Sequence, residues 1–329
     1  MRITVLGAGA WGTALALACS AKHSVTLWAR QAEQIRAMQT QSENRRFLPG
    51  HRLPDTLGLS NDFSAALKDS ELLILAMPVS GLRSTLIALR EADSNTPFLW
   101  LCKGLEAGSA QLPHQIVAAE IAAPIRCGAL SGPSFAAEVA QGLPTALTLA
   151  ADDREFARTT AHALHNSALR IYTSDDVPGV EVGGAVKNVM AIASGICDGL
   201  GLGLNARAAL ITRGLAEMAR LGAQLGAAQQ TFMGLTGMGD LILTCTGSLS
   251  RNRRVGLELA AGKPLVQILS ELGHVAEGVS STREVARLAQ RFAIEMPISQ
   301  AINAILYEQE PVATAVEKLL NRDAKIEAC

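Results

Sequence analysis

Three glycines and two lysines are the residues whose type and spacing point most directly to chemistry. Gly7-Ala8-Gly9-Ala10-Trp11-Gly12 follows an apolar run and opens an alanine-rich helical stretch. In that setting Gly7 makes a tight turn, Gly9 lets backbone approach a pyrophosphate, and Gly12 lets helix pack on strand. The helix N-terminus then offers N–H groups and a positive dipole end to phosphates. A dinucleotide site follows, with a purely structural glycine turn as the alternative. Hydride reduction of a ketone by such a cofactor also needs a proton donor for the developing alkoxide and a group that stabilises its charge. Lys103 directly follows the apolar run 98–102, at the carboxyl end of a strand, where open parallel sheets bind ligands. Lys187 stands alone in the apolar stretch 183–191, where it either snorkels to solvent or points into a cleft with a lowered pKa. Residue pattern alone leaves both readings of Lys187 open.

Other polar groups could complete such a site. Residues 131–136, Ser-Gly-Pro-Ser-Phe-Ala, offer hydroxyls and backbone N–H groups after a strand. Asp240 and Thr244 stand four apart, on one helical face. Ser250-Arg251-Asn252-Arg253-Arg254 gathers three arginines; in a chain with 29 Lys and Arg against 30 Asp and Glu, that reads as a grip on one phosphate rather than a nucleic-acid patch. A solvated helix start is the competing reading. Where a second strand ends, at 25–29, an NAD-specific site would place Asp or Glu, but Arg30 follows instead. A guanidinium suits a 2′-phosphate, so NADP(H) is favoured while NAD(H) stays open.

The elements that must position these residues divide the chain. Buried strands are expected at 2–6, 25–29, 72–76, 98–102 and 125–130, with helices at 13–21, 31–39, 79–90 and 112–121 between them. That alternation predicts a mostly parallel, doubly wound sheet covered on both faces. Strands at 145–150 and 169–173 flank one more helix. Beyond the turn-rich 174–179 the periodicity is helical throughout, near 185–194, 206–224, 254–261, 281–291, 298–307 and 312–320. The expectation is a dinucleotide-binding α/β domain over 1–178 and an all-α domain over 179–329.

Composition excludes several classes. Hydrophobic residues make up 49% and charged ones 18% of 329, which suits packed cores rather than disorder, and the net charge of −1 gives no reason to expect nucleic acid or an anionic membrane. Six scattered cysteines without a CxxC pair argue against a zinc or disulfide framework and for a reducing compartment. His162 and His165 lack suitably spaced further ligands and read as a surface helix, so no metal is expected. The uncharged stretch 3–21 imitates a secretory signal, but three glycines interrupt it and fit strand, turn and helix better. No other stretch reads as a bilayer span.

Taken in order, GAGAWGTALA, CKGLE, SGPSFA, GGAVKNV, NARAALITRGLAEM, GMGDLILTC and SRNRR make the chain resemble the bacterial NAD(P)-dependent glycerol-3-phosphate dehydrogenase family over nearly its whole length. The resemblance implies a Rossmann domain joined to a helical one, a cytoplasmic homodimer, and a role in glycerophospholipid synthesis by reduction of dihydroxyacetone phosphate. It implies that Lys187 is the acid/base, with Lys103, Asp240 and Thr244 near the reacting centre. Implied substrate contacts are Lys103, Gly132, Ser134, Lys187, Asp240, Ser250, Arg251 and Asn252. Implied cofactor contacts are Ala10, Trp11, Arg30, Lys103, Ala136, Arg251, Val275 and Glu277. One departure stands out: Met77-Pro78-Val79 lacks the hydroxyl the family often carries at the third place. A β-hydroxyacid or 6-phosphogluconate type dehydrogenase and a non-catalytic dinucleotide sensor are the rival readings.

Overall fold

A computed structural model describes residues 1–122, 124–273 and 276–323. Strands β1 (Arg2–Leu6), β2 (Ser24–Trp28), β3 (Gly58–Ser60), β4 (Leu72–Leu75), β5 (Phe98–Trp100), β6 (Cys127–Ser131), β7 (Thr145–Ala150) and β8 (Leu169–Ser174) form one sheet. Its order is β3-β2-β1-β4-β5-β6-β7-β8. All neighbours run parallel except β6 and β7, so the expected mostly parallel sheet is present with one reversal. Helices α1 (Ala10–Ser20), α2 (Ala32–Gln41), α3 (Phe63–Leu67), α4 (Val79–Glu91), α5 (Pro113–Glu120), α6 (Ala136–Ala140) and α7 (Arg154–Leu164) join the strands.

The strands are apolar because both faces are covered. In β4, Leu72 and Ile74 belong to the cluster holding Val5, Leu15 and Leu99, whereas Leu73 and Leu75 join Leu86, Phe98 and Trp100 on the other face. That is the two-residue alternation of a pleated strand inside an unbroken apolar run. The strand order reverses between β1 and β4, and open sheets bind ligands at such a switch point. Gly7 (φ +122°) sits there, with the place of its missing Cβ only 2.8 Å from the Ala76 carbonyl oxygen. A Cβ on Gly12 would lie 2.0 Å from the Gly7 oxygen, so helix and turn meet backbone to backbone. The stretch 3–21 is thus strand, turn and helix.

After β8 the chain is helical: α8 (Val177–Gly199), α9 (Gly203–Gln224), α10 (Asp240–Thr246), α11 (Arg251–Ala260), α12 (Leu265–Leu272), α13 (Glu277–Arg291), α14 (Pro297–Tyr307) and α15 (Val312–Leu320). Helix α8 is the axis of this half, packed by α9, α10, α11, α13 and α14. It is long and apolar enough to cross a membrane, a match the sequence reading did not make, but its apolar window is wholly buried inside the protein. It also begins earlier than its periodicity indicates. Asp176 accepts a hydrogen bond from the Gly179 N–H and Pro178 occupies the first turn, so the turn-rich linker is the helix's own N-terminal cap. The short β3 and α3 carry too few residues for a periodic signal and were not expected, and α12 was passed over although Leu265–Leu272 carries a clear apolar face.

Helices α8 and α11 cross in direct backbone contact. A Cβ on Gly256 would fall 2.0 Å from the Ile192 carbonyl oxygen, and one on Gly195 would fall 2.0 Å from that of Arg253. Gly256→Ala must therefore push the helices apart, at about 1–3 kcal/mol for overpacking of this kind. Urea unfolding should show a lower midpoint than wild type, whereas an unchanged midpoint would mean the crossing is looser than described.

Candidate active site

A cleft of about 1820 Å³ opens along the carboxyl ends of β1, β2, β4 and β5 and is closed by α8, α10, α11 and α13. Ordinary small-molecule pockets hold about 300–1,000 Å³, so there is room for a dinucleotide and a second ligand together. Gly7, Gly9, Ala10 and Trp11 line it, and Gly12 stands behind them, buried. No atom lies within 4 Å of the place a Gly9 Cβ would take, and the first turn of α1 carries no acid. The unpaired N–H groups of that turn thus open on a space that backbone alone borders, which fits a pyrophosphate. Further along lie Trp28, Arg30, Gln31, Arg46 and Phe47 on one side and Phe135 and Ala136 on the other.

At the far end one carboxylate holds two lysines. Asp240, 1% exposed, places Oδ2 2.8 Å from Lys103 Nζ and Oδ1 2.5 Å from Lys187 Nζ. Lys103 Nζ also donates to the Gly132 carbonyl at 3.0 Å, and Lys187 Nζ to Thr244 Oγ1 at 3.2 Å. The Thr244 hydroxyl spends its proton on the Asp240 carbonyl at 2.6 Å, which leaves its oxygen to accept from Lys187. Both lysines and the acid therefore form one figure, and Lys187 is buried rather than snorkelling.

Local folding explains how it forms. Asp240 follows a single π-helical turn, Leu235–Gly239, a distortion common at functional sites. Gly183 lets that turn approach α8: a Cβ there would fall 2.3 Å from the Thr236 carbonyl oxygen. Lys187 stands one turn further along the same face of α8, and so reaches Asp240. Lys103 is delivered from the opposite side by β5.

The charges shift one another. Burial brings the Lys187 ammonium down to about 8, against the support of Asp240 and helped by the nearby Lys103. Burial alone would raise Asp240, but the two ammonium groups outweigh it and hold the carboxyl below its ordinary range. Glu277, at the start of α13, is raised by burial to about 7 despite Lys103, Lys187 and Arg251. It accepts a backbone hydrogen bond from Val79. The departure at Val79 thus leaves the turn before α4 with a contact that needs no hydroxyl.

The third wall mixes engaged and free groups. Ser250 caps α11 by accepting from the Arg253 N–H at 3.2 Å. Asn252 donates to Asn188 Oδ1 at 2.9 Å and accepts from the Gly278 N–H at 3.0 Å. The three arginines expected to act together part company: Arg253 pairs with Asp198 at 2.6 Å, Arg254 lies 3.7 Å from Glu258, and only Arg251 lines the cleft. Helical spacing of 100° per residue points consecutive side chains apart, which a count of cations overlooks. Ser134 lines the cleft and donates to the Gly132 carbonyl at 3.0 Å; Gly132 takes part through that oxygen. Lys103, Lys187, Asp240, Thr244, Ser250, Arg251, Asn252, Glu277, Ala136 and Arg30 all border this one cleft. Val275 lies outside the described residues. Sequence reasoning missed Arg46, Phe47 and the bond from Asn252 to Asn188, because only the folded chain brings them to the cleft.

Comparison with known proteins matches this geometry to a family. Family models described as the N-terminus and C-terminus of NAD-dependent glycerol-3-phosphate dehydrogenase match residues 2–157 and 176–317. The glycerol-3-phosphate dehydrogenase (NAD(P)+) of Dechloromonas aromatica is 61% identical over 327 residues, covering 99% of each chain. That of Thiobacillus denitrificans is 58% identical over 327 residues, covering 99% of this chain and all of its own. The crystal structure of glycerol-3-phosphate dehydrogenase from Coxiella burnetii superposes with a TM-score of 0.94 at 43% identity, covering 98% of this chain and 99% of that one. D-mandelate dehydrogenase, with a TM-score of 0.59 at 17% identity, shares the fold alone. The chain belongs to the NAD-dependent glycerol-3-phosphate dehydrogenase family.

Proposed function

We propose that the protein reduces dihydroxyacetone phosphate to sn-glycerol 3-phosphate with NAD(P)H, reversibly, and that Lys187 is the general acid/base. The observation that carries this reading is the buried Asp240 shared between Lys103 and Lys187. Residues of the glycine turn, Arg30 and Glu277 would hold NAD(P)H, which would supply the hydride for the C2 carbonyl carbon. Lys187 gives a proton to the carbonyl oxygen as the C–O π bond breaks, leaving the alcohol and a neutral amine that solvent reprotonates. Lys103 stabilises the charge growing on that oxygen, and Asp240 holds both Nζ atoms beside one carboxylate. Thr244 and Asp240 fix the direction of the Lys187 side chain. Arg251, at the cleft wall, binds the substrate phosphate, with Ser134, Gly132, Ser250 and Asn252 shaping the same pocket. Gly7, Gly9, Ala10, Trp11, Arg30, Ala136, Val275 and Glu277 serve the cofactor, with Arg30 at the 2′-phosphate.

The product serves glycerophospholipid synthesis. A non-catalytic sensor would have no use for two lysines gathered on one buried carboxylate. A β-hydroxyacid substrate would bring a carboxylate to the reacting end rather than a phosphate. We also place the protein in the cytoplasm as a homodimer. The free cysteines at 19, 102, 127, 197 and 245 suit a reducing compartment, and the exposed Leu200, Leu202 and Leu204 suit a subunit contact.

Lys187→Met should lower turnover about a hundredfold or more while NADPH binding survives. The same group sets the pH dependence. Reduction requires the protonated amine, so its rate should fall as pH rises through about 8, while glycerol 3-phosphate oxidation should rise over the same interval. Profiles that are flat there, or a mutant keeping a tenth of the wild-type rate, would move the acid role to Lys103.

Asp240→Asn leaves two ammonium groups in a buried site without their counter-ion. Removing one partner of such a group costs about 3–5 kcal/mol. Thermal unfolding should shift down accordingly, and the fall in reduction rate should move to lower pH, because Lys187 loses the charge that supports its protonated form. A shift to higher pH contradicts the assignment.

Arg251→Ala should raise the KM for dihydroxyacetone phosphate about ten- to a hundredfold, the worth of a charge-assisted contact. Unphosphorylated dihydroxyacetone, a poor substrate throughout, should be used at nearly the same residual rate by mutant and wild type. Equal losses for both at saturating NADPH would show that Arg251 does not read the phosphate.

A further inference from the structure

We propose that Arg46 is a second determinant of cofactor choice, facing Arg30 across the 2′-phosphate of NADP(H). The proposal rests on the reading that the adenosine end of the dinucleotide lies beside Arg30. Arg46, Phe47, Leu48 and Pro49, from the segment between α2 and β3, line the cleft together with Arg30, Gln31 and Gln34. Arg46 Nη1 reaches Gln31 Oε1, beside Arg30, at 3.5 Å, and its guanidinium stands 5.0 Å from the centre of the Phe47 ring.

The backbone that carries Arg46 is fixed to the glycine turn. Asn44, 1% exposed, donates to the Ala8 carbonyl at 3.0 Å and to Thr13 Oγ1 at 2.8 Å. Its own carbonyl accepts from the N–H groups of Leu48 at 2.8 Å and Phe47 at 3.2 Å. Arg46 therefore sits inside a turn anchored to the segment that cradles the pyrophosphate, which makes its distance from that site a property of the fold. Charge completes the argument. Glu43, the acid just before this turn, is occupied by Arg45 at 3.3 Å and by the Gly50 N–H at 2.7 Å. Among the described residues, neither Arg30 nor Arg46 has a carboxylate partner, and the carboxylates lining the cleft, Asp240 and Glu277, stand at its other end. Two guanidinium groups that have no carboxylate partner among the described residues form a site for a dianion, and they give nothing comparable to a ribose 2′-hydroxyl.

The test compares ligands that differ only in the 2′-phosphate. Calorimetric affinities for adenosine 2′,5′-bisphosphate and adenosine 5′-monophosphate, with NADPH and NADH alongside, are measured for wild type, Arg30→Ala, Arg46→Ala and Arg46→Lys. Arg46→Ala should weaken the bisphosphate and NADPH about tenfold and leave the monophosphate and NADH within about twofold. Arg46→Lys, which keeps the charge but not the fork, should recover part of the loss. If wild type and Arg30→Ala discriminate as expected but Arg46→Ala weakens both ligands equally or neither, Arg46 has no such role and Arg30 acts alone. If wild type itself binds both adenosine phosphates equally, no 2′-phosphate is read here, and the assignments of Arg30 and Arg46 fall together.

Discussion

A buried carboxylate that accepts from two ammonium groups at once is the constraint around which this molecule is arranged. Lys187 could not sit so far from water alone, since an isolated buried charge costs several kcal/mol. Asp240 makes its burial tolerable, and the two ammonium groups in turn keep Asp240 ionised. The three groups come from three places: the end of β5, the middle of α8, and the first residue of α10. The site therefore exists only when the sheet and the helical half are docked, and much of the rest of the structure accomplishes that docking. Trp100 of β5 donates to the buried Glu181 of α8 at 2.8 Å, as does the His114 N–H of α5. Two catalytic candidates are thus carried by elements joined to each other one or two turns away from the reacting end.

Close backbone approach is the second recurring device. At Gly7 and Gly12, at Gly183, and at Gly195 and Gly256, the absence of a side chain lets elements meet at distances no Cβ would permit. Each contact lies next to a functional stretch: the phosphate turn, the π turn before Asp240, and the helix that begins with Arg251. Glycine here sets position to a fraction of an ångström, the tolerance that proton transfer and phosphate recognition require.

How much of this was legible beforehand depended on the range of the interactions. The strand, glycine turn and helix at the start of the chain rest on neighbours in sequence and were read correctly, as were the parallel sheet and the helical second half. Lys103 could be placed from the strand it follows. For Lys187 the residues alone left two readings open, because the deciding partner, Asp240, is 53 positions away. The arginine cluster misled for the opposite reason: three neighbours in sequence diverge on a helix, and two turn to acids. Arg46 escaped because its relevance comes from a turn anchored through Asn44 to the glycine segment, a tertiary fact with no periodic trace. The start of α8 was missed because its capping residues read as a linker.

The packing of α8 has one more consequence. From Val177 to Cys197 only Pro178 is even partly exposed, so this helix has no free side along which to slide or tilt. Elements of that kind open only with the whole domain, while loops and short terminal helices open at far lower cost. Entry and exit of ligands must therefore be accommodated by elements other than α8. Lys187 thus belongs to the most enclosed helix of the molecule, whereas Arg30, Arg46 and Arg251 stand at the walls of the cleft. Rate limits of the conformational kind would accordingly arise outside α8.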